Sequence, residues 1–267
     1  MAAAAAAGPF SLREVLDAFR RCVTEQREVL LEPYLSGWRG LIRFLQSLGA
    51  VFSFISKDVV TKVALLEAHR QQHPSGAFVF PPFGVVFFPP LTHLTQLPFS
   101  LSFLQSLGAV FSFISKDAVA KVALLEAHRQ QHRFVSLQSL VQHELAAGPA
   151  ALRARPDSGC RTVLRLHRAL RWLQLFLEGL RSGEPRTSVL CTDAYNASLA
   201  EHHPWVVRKA ATVAFCALPS RDAFLEIMNV GSAEEAVAML GEAIPYIGDV
   251  YGITQELFAE HKLLDLP

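Results

Sequence analysis

Charge is sparse and nearly balanced in this chain: 25 Lys and Arg against 24 Asp and Glu in 267 residues, a net of +1. Without a basic surplus there is no general footprint for nucleic acid, so any charge chemistry must be local. Cysteine is scarce too. Cys22, Cys160, Cys191 and Cys216 include no Cys-x-x-Cys pair, which argues against a disulfide framework and for reduced thiols. The sequence has no His-Glu-x-x-His, no Gly-rich phosphate loop and no recognisable nucleophile motif. The pairs His69/His73 and His128/His132 lack a companion that would complete a metal set. The expectation is therefore a protein that is not an enzyme and that uses no cofactor, metal or nucleic acid. Long uncharged runs are missing as well. Arg161–Arg181 has membrane length but carries five arginines, and Ala77–Leu91 is too short and contains four prolines. The start, MAAAAAAGPF, has no basic region and no long apolar core. Residues 1–9 read as a disordered Ala-rich leader and not as a signal peptide.

What is present is apolar: 51% hydrophobic residues and a mean hydropathy of +0.27. A near-perfect duplication is present as well. Residues 44–73 and 103–132 differ only at Val59/Ala118 and Thr61/Ala120. Structural repeats normally diverge at the surface and come in three or more copies, so two near-identical copies point to a gene-level event. The spacer PSGAFVFPPFGVVFFPPLTHLTQLPFSLS is rich in residues with pyrimidine-rich codons. That composition suits a duplicated exon joined through intron-derived sequence; the other reading is a Pro/Phe-rich loop that inserts into membranes. The domain expectation is a single domain over 10–267 interrupted by an insertion at about 74–132.

Outside the spacer the periodicity is helical. Ser11-x-x-Glu14 is a capping box ahead of Leu12, Val15, Leu16, Phe19 and Val23. Pro33 introduces a second helix through Trp38, Leu41, Phe44 and Leu48 to about Leu66. Further helices are expected over Val135–Leu145, over an arginine-bearing stretch ending near Arg181-Ser182-Gly183, and over Asp193–His202. Others are expected from Pro204, from a Ser220 cap, and from the Ser232-x-x-Glu235 capping box. The fold class is all-α.

Arg161, Arg165 and Arg168 stand at i, i+4 and i+7 in that arginine-bearing stretch and share one helix face. Val163, Leu164, Leu166, Leu170, Leu173 and Phe176 cover much of the rest. An unpaired charge in a core costs roughly several kcal/mol, so an anionic group should meet this face. Asp157 is within i−4 reach of Arg161; Arg165 and Arg168 have no carboxylate at helical spacing. Their anion lies elsewhere in the fold or is a ligand. Asp58 and Lys62, at i and i+4, read as a surface ion pair worth about 0.3–0.5 kcal/mol or as part of a site. The same pair recurs as Asp117 and Lys121. His203, before Pro204, is a helix-entry residue or a neutral hydrogen-bonding group at a pocket rim.

Five segments make the chain specific: GWRGLIRFLQSLG, SFISKDVVTK, SGCRTVLRLHRALRWLQLFLEGL, YNASLAEHHPWVVRKAATVAFCALP and AEHKLLDLP. They resemble the glycolipid transfer protein family over nearly all of 10–73 and 133–267. The resemblance implies a two-layer helical sandwich with an apolar pocket for lipid chains and a surface headgroup site. By the same resemblance, Asp58 receives the sphingoid amide and hydroxyl, and Lys62, Arg161 and Arg165 hold a phosphate. His203 bonds the acyl carbonyl; Arg168 receives no firm role. The sugar-binding branch has Asn where this chain has Lys62, and a stacking Trp where it has Arg165. A cationic cluster suits a phosphomonoester of about −1.5 to −2 charge, held by Arg forks and a Lys point charge.

The implied activity is non-enzymatic movement of ceramide 1-phosphate between membranes. The implied location is cytoplasmic, with peripheral association at Golgi, endosomal or plasma membranes. Tyr34, Trp38 and the C-terminal segment are candidate membrane contacts. The alternative is a non-transferring sensor or adaptor, or an isoform made defective by the insertion.

Copy one continues directly from YLSGWRGLIR, whereas copy two follows PLTHLTQLPFSLS, whose Pro98 would cost about 3 kcal/mol in a helix interior. The expected site therefore uses Asp58 and Lys62, with Asp117 and Lys121 as the duplicate alternatives.

Overall fold

The computed structural model describes residues 8–48, 77–80, 84–87, 97–216 and 218–267. The chain divides into two units: Met1–Ser47 with Phe113–Pro267, and Leu48–Ser112. Asp58 and Lys62 lie outside the described residues. The second unit contains a short antiparallel hairpin, β1 (Ala77–Phe80) with β2 (Gly84–Phe87), Ala77 opposite Phe87. It falls in the spacer, where the aromatic and β-branched residues AFVF and GVVF favour a pleated chain.

Among the described residues of the first unit every regular element is a helix, with only isolated bridges of Val23 to Val29 and Leu30 to Ser136 besides, which makes the fold all-α. Helix α1 is Leu12–Arg20, and residues 31–48 form α2. Helix α3, Leu97–His132, enters this unit at Phe113. Then follow α4 (Leu137–Ala146), α5 (Pro149–Ala154), α6 (Gly159–Ser182) and α7 (Thr187–Asn196). A 3-10 turn at Ala200–His202 precedes α8 (Trp205–Phe215), α9 (Arg221–Ile227) and α10 (Ala233–Glu260).

Several ends form as the sequence dictates. Ser232 accepts from the Glu235 amide at 3.1 Å and Ser220 caps α9. Gly183, with φ of 93°, closes α6 in the left-handed conformation that glycine tolerates best. Others differ. Ser11 stands at the start of α1, yet its side chain makes no capping bond. The capping box that does form is Ser136 with Ser139, at the start of α4. The stretch expected as one helix over Asp193–His202 is instead the end of α7 and a separate 3-10 turn. Ser198 turns its hydroxyl back onto the Ala194 carbonyl at 2.6 Å, a local bond that competes with helix continuation.

Helix α10 packs on α6 and α1, and α6 also packs on α4 and α7. Gly37 and Gly40 of α2 let α1 come close. A Cβ on Gly37 would stand 2.7 Å from the Phe19 ring, and one on Gly40 would stand 2.5 Å from a Val15 methyl. Tyr34 and Trp38 of α2 are 1% exposed, and their rings meet edge to face at 6.5 Å, so they belong to the core and are not membrane contacts. Rings of Phe10, Phe44, Phe224 and Phe176 form a chain of contacts 5.1–6.0 Å apart through the interior. No described helix is long and apolar enough to cross a membrane.

Copy two contributes directly to this unit. Ser115, Ala118, Val122 and Leu125 are buried at steps of three and four residues, one face of α3. Glu126 pairs with Arg39 of α2 at 3.2 Å and with Arg129 at 2.7 Å.

Candidate functional site

The start of α6 is held by a buried carboxylate. Glu144 of α4 accepts from the Ser158 hydroxyl at 2.6 Å, the Gly159 amide at 2.7 Å and the Cys160 amide at 3.0 Å. A negative group at a helix N-terminus satisfies donors that have no partner within the helix and meets the positive end of its dipole. Burial works to raise the Glu144 carboxyl, but the bonds from Ser158, Cys160 and Gly159 together hold it below its ordinary value. Nothing in the sequence flagged Glu144, because its partner lies in another helix.

Helix α6 buries Cys160, Thr162, Val163, Leu164, Leu166, His167 and Leu170, and turns its arginines to the boundary with solvent. Arg161 does not meet Asp157, which pairs instead with Arg155 at 3.5 Å. Arg161 is held by main-chain oxygens: Nη1 donates to Arg155 at 2.9 Å and Nε donates to Pro267 at 3.2 Å. Arg168 donates from Nη2 to the Leu264 carbonyl at 2.8 Å. Burial and then Arg165 work against its charge, and Glu201 offsets part of this. Arg165 is exposed and makes no hydrogen bond or ion pair among the described residues. The arginine expected to clamp a phosphate thus stands free of described partners, between two arginines that are tied down.

Asp117 and Lys121 form an ion pair on α3; the lysine is mostly covered and the aspartate is exposed. The end of α3 is pinned to the start of α6, where the His128 Nε2 and the Asp157 carbonyl oxygen are 2.9 Å apart. Lys121 lies two turns before His128, about 10 Å along the helix. Arg161 and Arg165 lie one and two turns after Asp157. Beside that junction is a cavity of about 450 Å³, lined in part by Leu124, His128, His143, Arg155, Asp157 and Ser158. Its mixed charges suit polar groups and not lipid chains. Among the described residues no group of three or more His, Cys, Asp or Glu is arranged to hold a metal ion.

His203 follows the 3-10 turn in extended conformation, as a residue before proline prefers. Its Nδ1 is 2.7 Å from the Tyr195 hydroxyl. Burial, and then His202, push its pKa down, so the ring is neutral near pH 7. The tyrosine partner was not evident from sequence. Next to it, Trp205 is 64% exposed, Val206 68% and Val207 44%. Three consecutive apolar residues cannot all face one side of a helix, a signal that could have marked this end of α8 as open.

A profile of the family described as Glycolipid transfer protein (GLTP) matches residues 29–79 and 94–230, more than half of the chain. The chain belongs to the glycolipid transfer protein family. The family match includes both copies of the duplicated segment and leaves out residues 80–93. The ceramide-1-phosphate transfer protein of Bos taurus is 50% identical over 97% of this chain and 97% of its own length. That of Homo sapiens is 47% identical over the same shares. Among solved structures, apo mouse ceramide-1-phosphate transfer protein superposes with a TM-score of 0.71 at 46% identity, covering 97% of this chain and 100% of its own. The human protein in complex with 12:0 ceramide 1-phosphate gives a TM-score of 0.67 at 47% identity, with the same coverage. The two-layer helical sandwich expected from the resemblance is thus the fold of this glycolipid transfer protein family member.

Proposed function

We propose that this protein carries ceramide 1-phosphate between membranes without chemical change to the lipid. The observation that carries the reading is Arg165: an exposed guanidinium with no described partner, flanked by Arg161 and Arg168 on a helix whose other faces are buried. Relatives named for ceramide 1-phosphate transfer, at about half identity over nearly the whole chain, supply the lipid class. The proposed headgroup site is Arg161, Arg165 and Lys121, with Asp117 receiving the sphingoid amide and hydroxyl. Choosing copy two is supported by its place in the same unit as α6 and by buried Ala118. Copy one has Val59 there, and extra methyl groups in a packed position typically cost about 1–3 kcal/mol. This reverses the order expected from sequence, where Asp58 and Lys62 came first, and makes that pair the alternative.

A Tyr195 hydroxyl donating to Nδ1 of His203 places the ring proton on Nε2. That N–H can then donate to the acyl carbonyl. The lipid chains enter the apolar interior, where each buried CH2 is worth about 0.8 kcal/mol. Peripheral membrane contact falls to Trp205, Val206 and Val207. The proposed setting is the cytosolic face of Golgi, endosomal or plasma membranes.

Vesicle-to-vesicle transfer by the full chain tests the assignment. Arg165→Leu and Asp117→Ala should each lower ceramide 1-phosphate transfer at least about tenfold, the weight of one charged hydrogen bond. Asp58→Ala should leave it unchanged. Loss in Asp58→Ala with full activity in Asp117→Ala would return the site to copy one.

A further inference from the structure

The last turn of α10 ends in an abrupt reversal. Lys262 adopts a left-handed φ of 55°, and the Leu263 amide donates back to the Phe258 carbonyl at 2.8 Å. The chain then runs as Leu263–Pro267 with Leu263 and Leu266 buried. Between these apolar anchors Leu264 presents its main-chain oxygen to Arg168 at 2.8 Å, and just beyond them Pro267 presents one to Arg161 at 3.2 Å. Asp265 pairs with Arg153 at 2.7 Å, so its carboxylate is engaged away from the arginine face.

We infer that Leu263–Pro267 is a positioning strap for the arginine face of α6, fixing the Arg161 and Arg168 guanidinium groups on either side of Arg165. This rests on the reading of that face as a phosphate site. The physical argument is one of charge. The Leu264 carbonyl at Arg168 and the Arg155 carbonyl at Arg161 are neutral acceptors. At Arg168 this occupies an N–H donor and restricts the rotamer while leaving the positive charge uncancelled; at Arg161 the Pro267 oxygen, part of the terminal carboxyl group in this structure, fixes the side chain and offsets part of its charge. A carboxylate at Arg168 as well would hold that side chain equally well but would oppose a phosphate. Long side chains fixed in advance lose less entropy when the anion arrives, and donors preset in one geometry favour one headgroup. The strap residues touch the arginines and not the lipid, so they act through those side chains.

Two variants test this: removal of Leu264–Pro267, and Leu266→Asp, which keeps every main-chain oxygen but unseats the buried anchor. The first readout is guanidinium hydrogen exchange by NMR in the lipid-free protein. The Arg161 Nε–H should exchange at least about tenfold more slowly than that of Arg165, in keeping with a net hydrogen bond. Both variants should abolish that difference. The second readout is preference for 12:0 ceramide 1-phosphate over 12:0 ceramide. It should fall about tenfold in each variant while ceramide binding stays constant.

Equal Arg161 and Arg165 exchange in the parent overturns the strap without any variant, as does an unchanged preference once protection is lost. A rise in preference shows the tail to be a competitor and also overturns it. A parent with no preference for the phosphorylated lipid defeats the proposed function instead, and the exchange comparison still decides the strap.

Discussion

Glu144→Gln isolates the contact on which the geometry of α6 depends. The carboxylate is 5% exposed and accepts three hydrogen bonds, two from the first amides of the helix that carries the arginines. Glutamine keeps one acceptor oxygen and turns an NH2 toward donors. At least one charge-assisted bond is lost, at about 1.5–3 kcal/mol. The interaction with the helix dipole, about 0.3–1 kcal/mol, goes with it. The expected loss is about 2–4 kcal/mol, or roughly 5–15 °C in Tm for a chain of this size. Thermal unfolding followed by circular dichroism measures it. The pH dependence gives a second check. Because the folded-state carboxyl is held below its ordinary value, its stabilisation is complete above the unfolded pKa of about 4.3. It is lost as pH falls through the lower folded value. The gap between parent and variant should be constant near neutrality and close as the pH drops below about 4. A loss under about 1 kcal/mol, against the expected charged-bond cost, refutes the reasoning, as does a gap that persists in strong acid.

Trp205→Ala should weaken binding to anionic vesicles about 30-fold, or ~2 kcal/mol, from the exposed indole area withdrawn. Thermal stability should change by less than about 0.5 kcal/mol, as for other surface positions; equal vesicle binding by both proteins would remove α8 from the membrane contact. Buried His167 stacks on Tyr251 at 4.2 Å and its pKa is pushed down to about 4, by burial first and by Arg168 further, against the Gln255 bond. The unfolded chain takes up this proton first, near pH 6.5, so stability should fall by roughly 3 kcal/mol between that pH and about 4. His167→Phe should flatten this part of the stability–pH curve, and an unaltered curve in urea titrations would contradict the assignment.

The helices were largely legible because apolar spacing and end signals agree locally. Gly183, Ser220 and Ser232 sit where the chain needs them. The arginine face was legible as a problem: three charges on a helix otherwise apolar. Its solution was not, because Arg161 and Arg168 are met by main-chain oxygens, some of them about a hundred residues away, and such oxygens leave no trace in residue type. The same holds for Glu144 and Tyr195, whose partners are remote or across a turn. Tyr34 and Trp38 were misplaced for a different reason. Amphipathic rings suit a membrane surface and a core equally, and only tertiary packing, which buries both here, decides between them. The duplication blunts sequence reasoning, since the segments around Asp58 and Asp117 differ only at Val59/Ala118 and Thr61/Ala120. The choice of copy two rests on its place in the unit that holds α6 and on the burial of Ala118.

The central claim is tested most directly by offering the full chain three lipids with matched acyl chains: ceramide 1-phosphate, ceramide and glucosylceramide. Their transfer between donor and acceptor vesicles is followed side by side. The arginine face predicts that ceramide 1-phosphate moves at least about tenfold faster than either of the others, by the weight of its charged contacts, and arrives with its phosphate intact. Equal rates for all three, faster movement of the glycolipid, or release of free phosphate would contradict it.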